Sequence, residues 1–264
     1  MSWKRLSWVW RWVVLVVGIA GWQLWTSAAN SSFFPPPSKI VVRMYDLWFS
    51  GPVAHVFLTT DATGNILPSL GRVFGGLLIA TAIGVPLGIA LGRSPAVTAY
   101  LNPLLQLARA LPVVTMAPVF IVLFKIGTQM EVATIVFGTI WPILMNTIDG
   151  AASVDPVQVE TARAFRMTRW QKLVWLTIPS ALPRAFAGFR LSLSLSLILM
   201  VFAELVGSTD GIGYEMSNAT NSFDMTLLWS TIVLLGILGY LLNELLAGTE
   251  RLVLSWHTPH RERE

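Results

Sequence analysis

Basic side chains recur at every third position in the segment ETARAFRMTRWQKLVWLTIPSALP, residues 160–183. Arg163, Arg166, Arg169 and Lys172 carry this spacing, and on one helix they would form a basic ridge winding partly around its surface. Such a cluster binds anionic groups. Two interpretations remain open: an interfacial helix held against anionic lipid headgroups, or a segment that a soluble protein partner binds and moves.

Other ionisable residues lie within or beside apolar stretches. They cost a few kcal/mol at the centre of a bilayer and tend to face the interior of a helix bundle. The charged residues that we expect to face such an interior are Arg72, Arg109, Arg190, Glu204 and Glu244. Alternatively, the arginines at 109 and 190 extend to the inner surface, and residues 72 and 204 lie at the outer interface. Ser192 and Ser196 are further interior candidates, although serine in such a stretch more often eases close helix packing.

Several kinds of site are absent from the sequence. The chain has no cysteine, which excludes disulfides, thiolate metal sites and cysteine nucleophiles. His55, His257 and His260 have no metal-ligand spacing, so we predict no metal site and no catalytic residue. No G-x-x-x-x-G-K-[ST] motif occurs, so we expect no cofactor on this chain, and any ATP and Mg²⁺ would bind to another polypeptide.

Composition indicates a membrane protein. Hydrophobic residues make up 54% of the 264 residues, charged residues only 12%, and the mean hydropathy is +0.65. Soluble domains carry about 25% charged residues. About 20 apolar residues span a bilayer, and such stretches predict an all-α protein of about six spans. The predicted spans cover residues 11–29, 69–92, 104–124, 131–149, 184–206 and 226–248.

The distribution of Lys and Arg predicts the orientation. With the N-terminus in the cytoplasm, Lys39, Arg43, Arg72 and Lys125 lie outside or at outer ends, and the rest of the 18 basic residues lie inside. The predicted cytoplasmic parts are residues 1–10, 150–183 and 249–264, which places both termini in the cytoplasm. Lys4, Arg5 and Arg11 before TSAA also resemble a secretory signal cleaved after Ala29. We favour a retained first span, because the segment that includes Trp22 and Trp25 is long enough to cross.

Two segments predict helix packing. In the outer segment, residues 30–68, Ser38 is a candidate N-cap after three prolines, and an apolar stripe then predicts an amphipathic helix at the interface. Gly84, Gly88 and Gly92 repeat a G-x-x-x-G spacing, which predicts a seam within one chain or between two copies.

The segment at 160–183 resembles the cytoplasmic EAA loop of binding-protein-dependent ABC importer permeases, whose pattern is E-A-A-x-x-x-G followed later by I-x-L-P. Here Glu160-Thr161-Ala162 begins the pattern, Arg166 takes the glycine position, and Leu176-Thr177-Ile178-Pro179 ends it. SLGRVFGGLLIATAIGVPLGIALG, LARALPVVTMAPVFIVLFKIG, WPILMNTIDGAASVDP and ELVGSTDGIGYEM resemble the nitrate/sulfonate/taurine branch of that family. These motifs cover roughly residues 60–250.

The resemblance implies a single permease domain with a type I ABC importer fold and a coupling helix that docks on an ATPase. It implies that the chain is not itself an enzyme, and that the charged and serine candidates named above are candidates for a translocation path. The residues that it places at the coupling surface are Glu160, Thr161, Ala162, Ala164, Phe165, Arg166, Met167, Thr168, Arg169, Trp170 and Pro179. Arginine at 166 puts the sharp turn in doubt, because arginine enters a left-handed conformation less readily than glycine. The turn is then reshaped, or the helix continues.

The resemblance also implies partners and a location. The expected partners are a cytoplasmic P-loop ATPase dimer, an extracytoplasmic solute-binding protein, a second and identical permease subunit, and the lipid bilayer, but no nucleic acid. The expected location is the plasma (inner) membrane, and the expected solute is a small anion such as nitrate, taurine or an alkanesulfonate. A secondary transporter and a membrane scaffold anchored to headgroups are the alternative functions; neither requires an ATPase.

Overall fold

The computed structural model describes residues 3–29, 31–52 and 57–255, with the side chains of residues 10 and 12–29 in the first helix. Within these ranges every regular element is a helix, as the all-α prediction requires. The three histidines and the basic residues at 4, 5, 11, 261 and 263 lie outside the described side chains.

Five helical stretches are long and apolar enough to cross a membrane. They comprise α1 (Trp3–Ala29), α3 (Thr60–Gly92), α6 (Thr128–Ala152), α9 (Ile178–Gly207) and α11 (Met225–Val253). Each contains one of the predicted spans. The predicted start of the fifth span after breaks at Pro179 and Pro183 is wrong, because α9 already begins at Ile178. Pro179 lies in the first turn of α9, which continues without a break from a helical stretch that starts at Arg169.

The predicted third span is not one helix. The chain forms α4 (Pro95–Ala110) and α5 (Val113–Phe124), and their axes differ by 87°. Pro112 causes the break: it has no N–H to donate, and its ring holds Leu111 in an extended conformation with φ −67° and ψ 122°. Together the two helices are apolar enough to form one broken span.

Short elements complete the chain. They are α2 (Pro37–Met44), a π-helical turn (Tyr45–Phe49), α7 (Pro156–Ala164), α8 (Arg169–Lys172), a second π-helical turn (Leu173–Thr177) and α10 (Ile212–Asn221). The predicted N-cap at Ser38 is wrong: Pro36 precedes the helix, and Ser38 lies inside it. A helix forms in the predicted place, with Ile40, Met44 and Trp48 buried at intervals of four, whereas Val41 of the predicted apolar stripe is 63% exposed.

The chain divides into two compact units. The first comprises the residues up to Pro68 together with Asp210–Ile237. Here the end of α1 is fastened by aromatic packing: Trp22 lies 5.3 Å from Trp229 between ring centroids, and Phe34 lies 5.8 Å from Trp229. Gln23 adds two hydrogen bonds, donating from Nε2 to Ser38 Oγ and accepting from the Ser38 backbone N–H.

The second unit comprises Ser69–Thr209 and the residues from Leu238 onward. Here α3 packs closely on α6. A Cβ added at Gly76 would lie 2.5 Å from Ile135, at Gly88 2.6 Å from Thr147 Cβ, and at Gly92 2.5 Å from the Ile148 carbonyl oxygen. The glycine seam therefore joins two helices of one chain. Its contacts advance in the same direction along both helices, so α3 and α6 run parallel.

Helix α9 runs antiparallel to both of the long helices that it contacts, α6 and α11. Gly138 of α6 faces Leu199 of α9, and Gly150 faces Ala181, so α6 and α9 are antiparallel. Gly239 of α11 faces Leu197, and Glu250 pairs with Arg190, so α11 is antiparallel to α9. The C-terminal ends of α3, α6 and α11 therefore lie at the same end of the unit as the start of α9. We call this the coupling end.

Candidate functional site

The segment between α6 and α9, residues 153–177, forms two short helices and a turn, and we call it the coupling segment. Its first helix, α7, begins with Asp155-Pro156. The Asp155 carboxylate accepts a hydrogen bond of 2.7 Å from the Val157 backbone N–H, which confirms the predicted N-cap. The helix is therefore fixed at its first residue by its own sequence.

Arg166 keeps the turn that the glycine of the EAA pattern would make. Its φ is +52°, in the left-handed region. The backbone N–H of Met167 donates to the Ala162 carbonyl at 3.0 Å, and that of Arg166 donates to the Arg163 carbonyl at 2.9 Å. These two bonds are the Schellman arrangement that ends helices. The doubt raised by Arg166 is thus resolved: α7 stops and the chain turns.

The second helix, α8, starts with a capping box that the sequence analysis missed. The Thr168 hydroxyl accepts a hydrogen bond from the Gln171 backbone N–H, and the Gln171 side-chain oxygen accepts one from the Thr168 backbone N–H. The signal was present as Thr-x-x-Gln. A π-helical turn then leads into α9.

The predicted basic ridge along one helix is wrong. Arg163 lies near the C-terminal end of α7, Arg166 lies in the connection, and Arg169 and Lys172 lie in α8. They are separated because residue 166 has a left-handed backbone conformation, which ends α7. Arg163 also pairs with Glu160 at 2.7 Å, which offsets one positive charge. The four cations therefore do not share one helical surface.

Apolar side chains are exposed on both sides of the turn. Phe165 is 79% exposed and Trp170 71% exposed, whereas Ala162 is buried, with 3% of its surface exposed. The remaining residues of the predicted coupling surface are exposed or half-buried: Thr161, Ala164, Arg166, Met167, Thr168, Arg169 and Pro179. A groove of about 420 Å³ lies beside them, lined by residues that include Asp155, Gln158, Trp175 and Pro179. Trp175 is 74% exposed and was absent from the predicted set.

A buried cluster of charges occupies the opposite part of the second unit. Arg72 of α3 lies 2.7 Å from Glu204 of α9 through Nη1 and Oε1, and its Nε contacts Glu131 of α6. Ser69 donates a hydrogen bond of 2.7 Å to the same Glu204 oxygen. All four residues are at most 4% exposed. We call this the Arg72 cluster; it ties three long helices together.

The sequence analysis named two members of this cluster, Arg72 and Glu204, and missed Ser69 and Glu131. It placed Glu131 at the first position of the fourth span, where a carboxylate usually faces water. The signal was the requirement that an ionised residue buried in a membrane be paired: Arg72 and Glu204 were named as residues that face the bundle interior or lie at the outer interface, and no partner was sought for either.

The other path candidates are placed differently. Ser192 donates to the Thr139 carbonyl at 2.6 Å, and Ser196 to the Leu193 carbonyl at 2.7 Å, so both hydroxyls satisfy backbone groups in packed helices. Arg109 is exposed in the last turn of α4, and Glu244 is exposed on α11. Arg190 pairs with Glu250. Among the described residues, no three His, Asp or Glu side chains are grouped as a metal site.

In the first unit, the loop after α9 is held by Asn65. The Asn65 side chain accepts a hydrogen bond from the Gly211 backbone N–H at 2.9 Å and donates one to Glu215 at 2.8 Å. Burial, and then the negative charge of Asp61, raises the pKa of Glu215, with the Asn65 bond opposing. The Asn65 side chain therefore ties Gly211, within the segment GSTDGIG, to α3.

Comparison with known proteins places the chain in a family. Residues 84–251 match the family described as binding-protein-dependent transport system inner membrane component. The taurine transport system permease protein of Escherichia coli is 29% identical over 96% of this chain and 94% of its own length. The bicarbonate transport system permease protein of Synechococcus elongatus is 31% identical over 90% and 88%. A nitrate import permease protein of Synechocystis is 28% identical over 92% and 88%.

Solved structures show the same fold. The inward-facing MetNI methionine ABC transporter matches with a TM-score of 0.64 at 21% identity, covering 72% of this chain and 94% of the matched one. An amino acid ABC transporter matches with a TM-score of 0.55 at 15% identity, covering 81% and 95%. The chain belongs to the family of inner membrane components of binding-protein-dependent transport systems, and it is a multi-pass permease of the ABC importer type.

Proposed function

We propose that this permease imports a small oxyanion and that its coupling segment binds a cytoplasmic ATPase dimer. The observation that carries the proposal is the pair of exposed aromatic side chains, Phe165 and Trp170, on a turn capped on both sides. Exposed aromatics on a rigid support are typical anchors of protein interfaces. In this proposal, ATP and Mg²⁺ bind to the ATPase, and the permease performs no covalent chemistry.

The rigid turn is suited to transmit movement. Capping at Asp155, at Arg166 and at Thr168 leaves few free dihedrals between α6 and α9. A displacement of Phe165 by a partner would therefore move the ends of α6 and α9 rather than deform the connection between them. From the distribution of Lys and Arg we propose that the coupling end and both termini lie in the cytoplasm, and that an extracytoplasmic binding protein delivers the solute at the other end.

The proposed solute class comes from the relatives. Their names specify taurine, aliphatic sulfonates, nitrate and bicarbonate. All are small molecules with an anionic oxygen group. We propose the same class here, carried by a homodimer of this permease. Uptake of labelled taurine, ethanesulfonate, nitrate and bicarbonate, compared in cells with and without the chain, tests the class; uptake of none of the four would contradict it.

The ATPase contact is tested by Phe165→Ala. Truncation of an anchoring aromatic removes about 2 kcal/mol or more of binding, so we expect at least a tenfold loss of ATPase that co-purifies in mild detergent. Phe223→Ala is the matched control, because Phe223 is 76% exposed in the connection between α10 and α11. Equal ATPase retention by both variants would remove Phe165 from the interface.

A further inference from the structure

We propose that an apolar cavity in the second unit binds an acyl chain of an anionic phospholipid from the leaflet at the coupling end. The proposal is independent of the solute and of the ATPase contact. The cavity measures about 550 Å³, within the range of small-molecule sites. Its walls come from α3, α6, α9 and α11, and its apolar lining includes Val85, Pro86, Leu182, Phe186, Phe189 and Leu246.

The position of the cavity along the helices fits a lipid tail. Leu182 lies four residues, about 6 Å, after the start of α9, and Thr81 lies eleven residues, about 16 Å, before the end of α3. Both helix ends are at the coupling end. The hydrocarbon core of a bilayer is about 30 Å thick, so the cavity runs from near one headgroup layer to about the middle of the membrane.

Cations lie close in sequence to the lining residues. Arg190 directly follows the lining residue Phe189, and its guanidinium pairs with Glu250, which directly follows Thr249. A guanidinium has five N–H donors, more than one carboxylate uses. Arg93, Arg184 and Arg251 are exposed at the same end. These positive charges favour a lipid whose phosphate is not neutralised by a cationic group in the same headgroup, as in phosphatidylglycerol.

The lining suits hydrocarbon better than a polar solute. The Thr81 hydroxyl is buried at the deep side of the cavity, and it has no hydrogen-bond partner among the residues that the structure describes. A small oxyanion needs several donors around it, and the deep part of the cavity provides this one hydroxyl. An acyl chain needs none.

The experiment is native mass spectrometry of the full chain purified in mild detergent, titrated with phosphatidylglycerol or with phosphatidylcholine of the same chain length. We expect one phosphatidylglycerol to remain bound at low lipid. Ala82→Phe and Thr249→Phe fill the cavity from opposite walls and should each weaken that binding at least tenfold. Arg190→Gln should abolish the preference for phosphatidylglycerol over phosphatidylcholine.

Matched controls use the same helices. Leu78→Phe on α3 and Leu245→Phe on α11 add aromatic bulk at side chains that are 70% and 66% exposed and outside the cavity lining, and they should leave lipid binding unchanged. Thr81→Val should leave it unchanged or strengthen it, whereas loss of binding in this variant would indicate a hydrogen-bonding ligand and overturn the proposal.

Two other outcomes would also overturn it. If both cavity-filling variants retain the lipid while their thermal unfolding matches that of the unchanged chain, the lipid binds elsewhere. If Ala82→Phe and Thr249→Phe instead dissociate a dimer of the chain without altering lipid binding, a second copy occupies the cavity.

Discussion

Arg72 is held by two carboxylates at a depth where water cannot replace them. Its partners, Glu131 and Glu204, come from two other helices, and each is at most 1% exposed. Burying these charges carries a large desolvation cost, which close pairing offsets. Removing the cation leaves two carboxylates facing each other without their guanidinium.

Arg72→Gln should therefore destabilise the chain by about 3–5 kcal/mol, the usual cost of removing one partner from a buried ion pair. The measurement is thermal or denaturant unfolding of the purified protein in detergent. Arg109→Gln is the control, because Arg109 is exposed in the last turn of α4 and should cost less than about 1 kcal/mol. Similar unfolding of the two variants would show that the Arg72 cluster contributes little to stability.

Arg166 shows how one backbone angle can contradict a residue's preference. Its φ of +52° costs an L-residue about 1–2 kcal/mol relative to the right-handed region. The turn persists because the hydrogen bonds from Met167 and Arg166 end α7, and the cap at Thr168 starts α8.

Substitution at this position should follow backbone preference rather than charge. Arg166→Gly relieves the strain and should raise the unfolding temperature slightly, since the greater freedom of glycine in the unfolded chain offsets part of the gain. Arg166→Val should lower it, because a β-branched residue rarely has positive φ. If valine were as stable as glycine, the left-handed turn would not exist in the protein.

At the scale of elements, the close approach of α3 and α6 depends on which glycines face α6. A Cβ at Gly88 would lie 2.6 Å from Thr147 Cβ and 3.0 Å from the Leu144 carbonyl oxygen, whereas one at Gly75 would meet nothing within 4 Å. Both glycines belong to one helix. They differ only in the direction that they face.

Gly88→Leu should consequently force the two helices apart and destabilise the chain by about 1–3 kcal/mol, the usual range for overpacking. Gly75→Leu is the matched control and should be close to neutral. The comparison is made by unfolding of both variants in the same detergent; an equal loss of stability would show that helix propensity, and not the seam, determines the effect.

At the scale of the whole molecule, the parallel arrangement of α3 and α6 determines whether α4 and α5 cross the membrane. The chain leaves α3 at Gly92 and enters α6 at Thr128, at opposite ends of two parallel helices. The intervening α4 and α5 must therefore carry it across the membrane once. A re-entrant loop would return the chain to the side that it left.

This arrangement predicts a labelling pattern. The chain has no native cysteine, so single substitutions report their own side. Arg93→Cys and Thr168→Cys should react with an impermeant maleimide from the cytoplasm, and Lys125→Cys only from the opposite side. Labelling of residues 93 and 125 from the same side would indicate a re-entrant loop, and labelling of residue 168 from outside would reverse the proposed topology.

Local chemistry made part of the site predictable. Asp155-Pro156 specifies a helix start by itself, because an N-cap acceptor and a proline act within one turn. The break at Pro112 was equally local but was missed, because its apolar neighbours suggested one continuous span. The sequence analysis left open whether the helix ends or continues at Arg166, since arginine does not favour either conformation strongly enough.

The amino-acid sequence by itself determined that the chain is a helical membrane protein and where its five long apolar helices lie, because these properties depend on run lengths of apolar residues. Only the tertiary structure decided that Glu131 joins Arg72 and Glu204, that the glycine seam lies within one chain, and that α3 and α6 are parallel. These features join residues far apart in the sequence, and such pairings depend on how helices are arranged in space rather than on any local preference.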